Sequence, residues 1–93
     1  MTPEAKLYKE VKKYLDARAR GGDLWWMKLH GGPMQRRGVP DILIVYGGQA
    51  LFVELKATGA RQTRLQKHVA EKLTKAGAMC IVATSLDGVE KLM

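Results

Sequence analysis

Apolar positions recur along the chain at helical spacing in some stretches and at strand spacing in others. From 3 to 19, Leu7, Tyr8, Val11, Tyr14 and Leu15 return at three- and four-residue intervals, which predicts one amphipathic helix. Thr2 before Pro3 reads as an N-cap followed by a first helical residue, and Gly21-Gly22 as the stop. The aromatic-rich stretch 23–30, with Leu24, Trp25, Trp26 and Met27, predicts a strand. Segment 30–40 holds two prolines and three glycines and cannot be regular throughout. Short apolar runs at 42–46 and 51–56 flank Gly47-Gly48, a hairpin signal. Leu65, Val69 and Leu73 mark a helix from Thr63 to about Ala76, stopped by Gly77. A strand at 79–83 follows, and Ser85 caps a short terminal helix running to Leu92. The order α-β-β-β-α-β-α makes an α/β sandwich without internal repeats.

The hairpin carries a geometric consequence. A turn centred on Gly47-Gly48 pairs residues whose numbers sum to 95, so Asp41 faces Glu54. Cross-strand partners share a face with Cβ atoms about 5 Å apart, where two carboxylates repel unless a proton or cation lies between them. Strand alternation adds Lys56 to the face that carries Phe52 and Glu54, with Leu51, Val53 and Leu55 on the other. Hard carboxylate oxygens suit Mg²⁺, with Mn²⁺ able to substitute, and Mg²⁺ keeps waters and commonly bridges to phosphate. The reaction this favours is phosphodiester hydrolysis. Helical phase places Glu4 near the centre of the first helix's apolar stripe and directs it inward; a first-turn acid that answers the helix dipole is an equal reading.

Length and charge narrow the partner. Ninety-three residues allow one domain, 1–93, with a modest core. Sixteen Lys and Arg against nine Asp and Glu give a net charge of +7 and a pI near 9.8, and nucleic acid is the natural polyanion to meet them. No apolar run suits a membrane, and no secretory leader opens the sequence, which together read as cytoplasmic. Cys80 is the single cysteine and lies among Ala78, Met79, Ile81 and Val82, which predicts a buried, reduced thiol and excludes a disulfide within one chain.

Gly38-Val39-Pro40-Asp41, then Glu54-Leu55-Lys56 after twelve intervening residues, and Gln66 on the next helix, are similar to the VRR-NUC family, a branch of the PD-(D/E)xK nucleases. The resemblance covers nearly the whole chain. It implies a restriction-endonuclease-like αβββαβ core, a mixed sheet flanked by helices, and a homodimeric endonuclease acting on branched DNA such as Holliday junctions. It also implies that Asp41, Glu54 and the carbonyl of Leu55 bind the metal, and that Lys56 orients the attacking water or steadies developing charge. Glu4 matches the acid of the family's first helix, and Gln66 the glutamine that supports the site. The serine-proline pair usual before that glutamine is replaced here, with Thr63 preceding Arg64-Leu65.

Plainer readings stand beside these. Asp41 can be an ordinary loop-to-strand acid after a proline, Glu54 and Lys56 a solvated strand face, and Thr63-Arg64-Leu65-Gln66 is a capping box that by itself explains Gln66. Gln35, Arg36 and Arg37 precede Asp41, where they can grip phosphates flanking a scissile bond; a solvated loop is the alternative. His30 at a strand end stays outside the core site, and His68 falls off its helix's apolar stripe and is exposed. Trp25 and Trp26 point to opposite faces, one into the core and the other toward a dimer partner or a base. The charge and the arginine loop also fit a binding module without catalysis.

Overall fold

The computed structural model describes residues 1–29 and 36–93, so the expectations for His30 and Gln35 lie outside the described residues. Helix α1 spans Pro3–Arg20, followed by strands β1 (Leu24–Lys28), β2 (Ile42–Tyr46) and β3 (Gln49–Leu55). Helix α2 (Arg64–Lys75), strand β4 (Met79–Ala83) and helix α3 (Leu86–Glu90) complete the chain in the order the sequence predicts.

Local chemistry accounts for the element ends. Thr2 caps α1 by accepting a hydrogen bond from the Ala5 N–H at 3.1 Å, and Ser85 caps α3 through the Gly88 N–H at 3.2 Å. Gly47 and Gly48 have φ of 60° and 79°, and two successive positive φ values make the two-residue turn whose twist suits a hairpin. The pairs run from Tyr46↔Gln49 to Ile42↔Val53, the register that a Gly47-Gly48 centre requires. The sheet order is β1-β2-β3-β4, antiparallel through β3 and parallel between β3 and β4, with α2 forming the crossover.

The core lies mainly on one face. Leu7, Val11 and Leu15 of α1 pack over Ile42, Ile44, Leu51, Val53 and Leu55, and Ala83 and Val89 close the cluster. Each leucine, isoleucine or valine among them contributes about 1.5–3 kcal/mol when fully buried. Trp26 joins this face half-buried, and its indole N–H donates to Asp16 Oδ1 at 3.0 Å.

The other face is thinner. Helix α2 has no fully buried residue, and Leu65 is 44% exposed although it belongs to the apolar stripe. Cys80 is half-buried instead of buried, because β4 is an edge strand and α2 covers it only partly. His68 is exposed, as its helical phase predicts. Trp25, paired with Val45 across β1 and β2, is 56% exposed on this face. Among the described residues no helix is long and apolar enough to cross a membrane.

Candidate active site

Asp41 stands one step before β2 and Glu54 one step after the last β2–β3 pair, so the two acids meet where the hairpin opens. The Asp41 carboxylate turns across the strand end and accepts the Leu55 N–H at 2.7 Å. Glu54 is the one charged side chain among the described residues that is buried, at 3% exposure. Its pKa is pushed up to about 7, first by burial, then by the neighbouring Asp41 charge. Glu4 adds a smaller push in the same direction, while Lys56 and the Asp41 N–H pull the other way.

What holds Glu54 comes from α2. Thr63 Oγ1 accepts the Gln66 N–H at 3.1 Å, and Gln66 Oε1 accepts the Thr63 N–H at 2.8 Å, closing the capping box. The same amide then donates through Nε2 to Glu54 Oε2 at 2.7 Å. Gln66 therefore forms the capping box that the sequence predicts and holds the Glu54 carboxylate with the same amide. Lys56 Nζ lies 3.9 Å from the same oxygen with its side chain 12% exposed, and the Lys56 N–H donates to the Ala83 carbonyl at 3.0 Å, tying it to the end of β4.

Glu4 is placed differently from its helical phase. It is exposed, not buried, because the first turn of α1 lies beyond the end of the sheet, and the first buried residue of the helix is Leu7. There it lines a cleft of about 330 Å³ with Asp41, Leu55, Tyr8 and Lys28. Lys28 was not anticipated; its ammonium lies 4.7 Å from the centroid of the Tyr8 ring. One signal for it existed, since alternation puts Lys28 on the face of Leu24 and Trp26, where a lysine is out of pattern. Arg36 and Arg37 are exposed just ahead of Asp41.

The loop that delivers Asp41 is anchored by Gly38. Its φ is +81°, and a Cβ there would stand 2.7 Å from Leu65 Cγ and 3.1 Å from both the Leu65 carbonyl oxygen and Val69 Cγ2. Only glycine meets both conditions, so the loop rests directly on α2.

Whether a cation suits this site can be judged from Glu54. Its Oε1 is buried and accepts no hydrogen bond from any described residue, and its partner oxygen is already taken by Gln66. A buried, orphaned carboxylate oxygen next to a second carboxylate is costly until a positive charge meets it. The described residues hold no group of three or more His, Cys, Asp or Glu side chains close enough for a metal. Mg²⁺ does not need one: one or two carboxylates, a carbonyl and waters suffice, and the donors present fit it.

No family model matches the sequence, and no curated protein matches it. Among solved structures, one described as a VRR_NUC domain aligns with a TM-score of 0.76 at 28% identity, covering 99% of this chain and 95% of that one. A VRR_NUC domain protein aligns with a TM-score of 0.74 at 21% identity, covering 99% of this chain and 85% of the other. Both alignments run over nearly the full length of this chain, so its mixed four-stranded sheet with flanking helices is a fold it shares with them. The protein has the VRR-NUC domain fold, a nuclease-like architecture.

Proposed function

We propose that the protein is a Mg²⁺-dependent DNA endonuclease that hydrolyses phosphodiester bonds, with branched DNA, Holliday junctions included, as its substrate class. The observation that carries this reading is Glu54: a buried carboxylate beside Asp41 with one oxygen clamped by Gln66 and the other, Oε1, accepting no hydrogen bond within bonding distance among the described residues. A merely solvated strand face would leave Glu54 wet and its pKa ordinary.

Asp41, Glu54 and the Leu55 carbonyl are the residues that would hold Mg²⁺, and Mn²⁺ would satisfy the same oxygens. When bound, the ion supplies positive charge that polarises a phosphodiester and acidifies water. Gln66 keeps Glu54 in one rotamer, so its free oxygen stays directed at the site. Lys56, held at 3.9 Å from Glu54, is placed to offset negative charge developing on the phosphate. Glu4 brings a further acid to the cleft mouth, and Arg36 and Arg37 provide cations for phosphates beside the scissile one.

The test uses labelled linear, flap and four-way DNA with and without Mg²⁺. Strand cleavage by the wild type that needs the metal, and its loss in Asp41→Asn, is the expected result. An Asp41→Asn protein that still cuts rejects this site. Tight binding with no product in Mg²⁺ or Mn²⁺, unchanged in Glu54→Gln, marks a binding module instead.

A homodimer belongs to the same proposal, supported by the small one-sided core and by the exposed Trp25, Met27 and Val45 on the face away from α1.

A further inference from the structure

On the sheet face that carries Glu54, a groove of about 190 Å³ runs between the arginine loop and α2, lined by Arg36, Val39, Phe52, Val69, Lys72 and Leu73. Its construction is specific. Gly38 seats the loop against Leu65 and Val69, which brings Arg36 to the same groove as Lys72 from the third turn of α2. Phe52 is two residues before Glu54 on β3, so the floor lies about 7 Å along the strand from the candidate catalytic carboxylate. Both rim residues are exposed, and among the described residues neither has an ion-pair partner. Helix α2 as a whole carries four cations, Arg64, Lys67, Lys72 and Lys75, against the single carboxylate of Glu71.

We infer that this groove binds a nucleotide of an unpaired DNA strand next to the bond to be cut, its phosphate between Arg36 and Lys72 and its base on the Phe52 floor. The inference rests on the nucleic-acid reading of the site and adds a preferred strand state to it. Two cations on facing walls fit a phosphate, which duplex and single-stranded DNA both present. The apolar floor separates the two, because paired bases are stacked out of reach while an unpaired one can turn its face onto apolar side chains. Lys72 is thereby a substrate-contacting residue on a helix otherwise concerned with holding Glu54.

The experiment measures binding of a fluorescein-labelled single strand and of the blunt duplex of the same sequence by anisotropy over a salt series, in chelator so that nothing is cut. Wild type should prefer the single strand. Arg36→Ala/Lys72→Ala should bind it roughly tenfold more weakly, with the salt slope reduced by about 0.7 per lost phosphate contact, whereas Phe52→Leu, which keeps the floor apolar but removes its ring, should lose most of the preference with the slope unchanged. Lys9→Ala/Lys13→Ala, which removes two exposed charges of α1, should keep the preference. A single Lys72→Gln protein, expected to show half the slope change, guards against a folding defect in the double variant. Equal losses in the α1 control, or a wild type without strand preference, overturn the groove. Cleavage in Mg²⁺ by wild type but not by Glu54→Gln, measured in parallel, reports on the nuclease reading separately, so the groove can fail while that reading stands.

Discussion

Gln66 serves two masters with one amide, and substitution can separate them. Thr63→Ala removes the cap hydroxyl but leaves the Nε2 donor facing Glu54, so it should cost about 1 kcal/mol of stability and little cleavage. Gln66→Ala loses the cap and the clamp together, which should cost about 2 kcal/mol and lower metal affinity or cleavage by about 10–100-fold, the usual effect of freeing a metal-binding side chain. If both variants cut at the same rate, Gln66 is only a cap. Glu54 itself sets a pH dependence in the metal-free protein. Its folded pKa of about 7 lies above the ordinary 4.5, so its contribution to stability is fully present below about pH 4.5 and is lost as pH rises through about 7. At about 1.4 kcal/mol per pKa unit, that is on the order of 3 kcal/mol. Denaturant unfolding in chelator should therefore find wild type and Glu54→Gln drawing apart between about pH 5 and 8, with the variant gaining. Parallel curves would mean that Glu54 is not held in a desolvated state.

At the scale of elements, the hairpin and α2 are two independent supports that meet at the site. The hairpin was legible in the sequence because a Gly-Gly reversal and strict alternation leave one register, and from the register Asp41 and Glu54 follow as neighbours. The α2 support was legible only in part: the capping box follows from Thr63 and Gln66, but the seat of the helix on the sheet does not. Helical phase says which residues share a stripe, but not how closely that stripe approaches a sheet, so the shallow seat of Leu65 and the exposure of Glu4 beyond the sheet's end could not be read from it. The double engagement of Gln66 and the approach of Lys28 to Tyr8 likewise depend on contacts between elements distant in sequence. Gly38 is where the supports join, and Gly38→Ala tests the joint. The left-handed backbone costs a Cβ about 1–2 kcal/mol, and the 2.7 Å approach to Leu65 adds a similar overpacking penalty. A loss of about 2–4 kcal/mol is expected, seen as a drop in Tm of roughly 10–25 °C for a domain of this size. Since the loop carries Asp41, cleavage assayed well below the new Tm should fall as well. A variant that keeps full stability would mean that the loop does not rest on α2.

The whole molecule is asymmetric: α1 and α3 bury one sheet face, while the other is covered by α2 over part of its width and leaves Trp25, Met27 and Val45 exposed. Trp25 and Val45 are cross-strand partners and Met27 lies two residues along, so the three form one apolar patch on β1 and β2. Its position opposes easy solubility in so small a chain, whereas the +7 charge works to keep copies apart. A second copy laid against the same patch by a two-fold axis would bury both, and a stable contact of this kind removes about 800 Å² from each partner. The axis would also fix two Asp41–Glu54 sites in one particle, which is what cutting paired strands of a four-way junction requires and what one chain cannot supply. Sedimentation equilibrium at micromolar concentration should return the mass of two chains, with salt strengthening the association by screening the net charge. Trp25→Ser/Met27→Ser should shift it to one chain and convert paired cuts into single nicks, while sparing cleavage of flap DNA because neither residue lines the Asp41 cleft. A wild-type mass of one chain across that range would remove the dimer from the proposal, and a dimer indifferent to both substitutions would place the contact elsewhere on the surface.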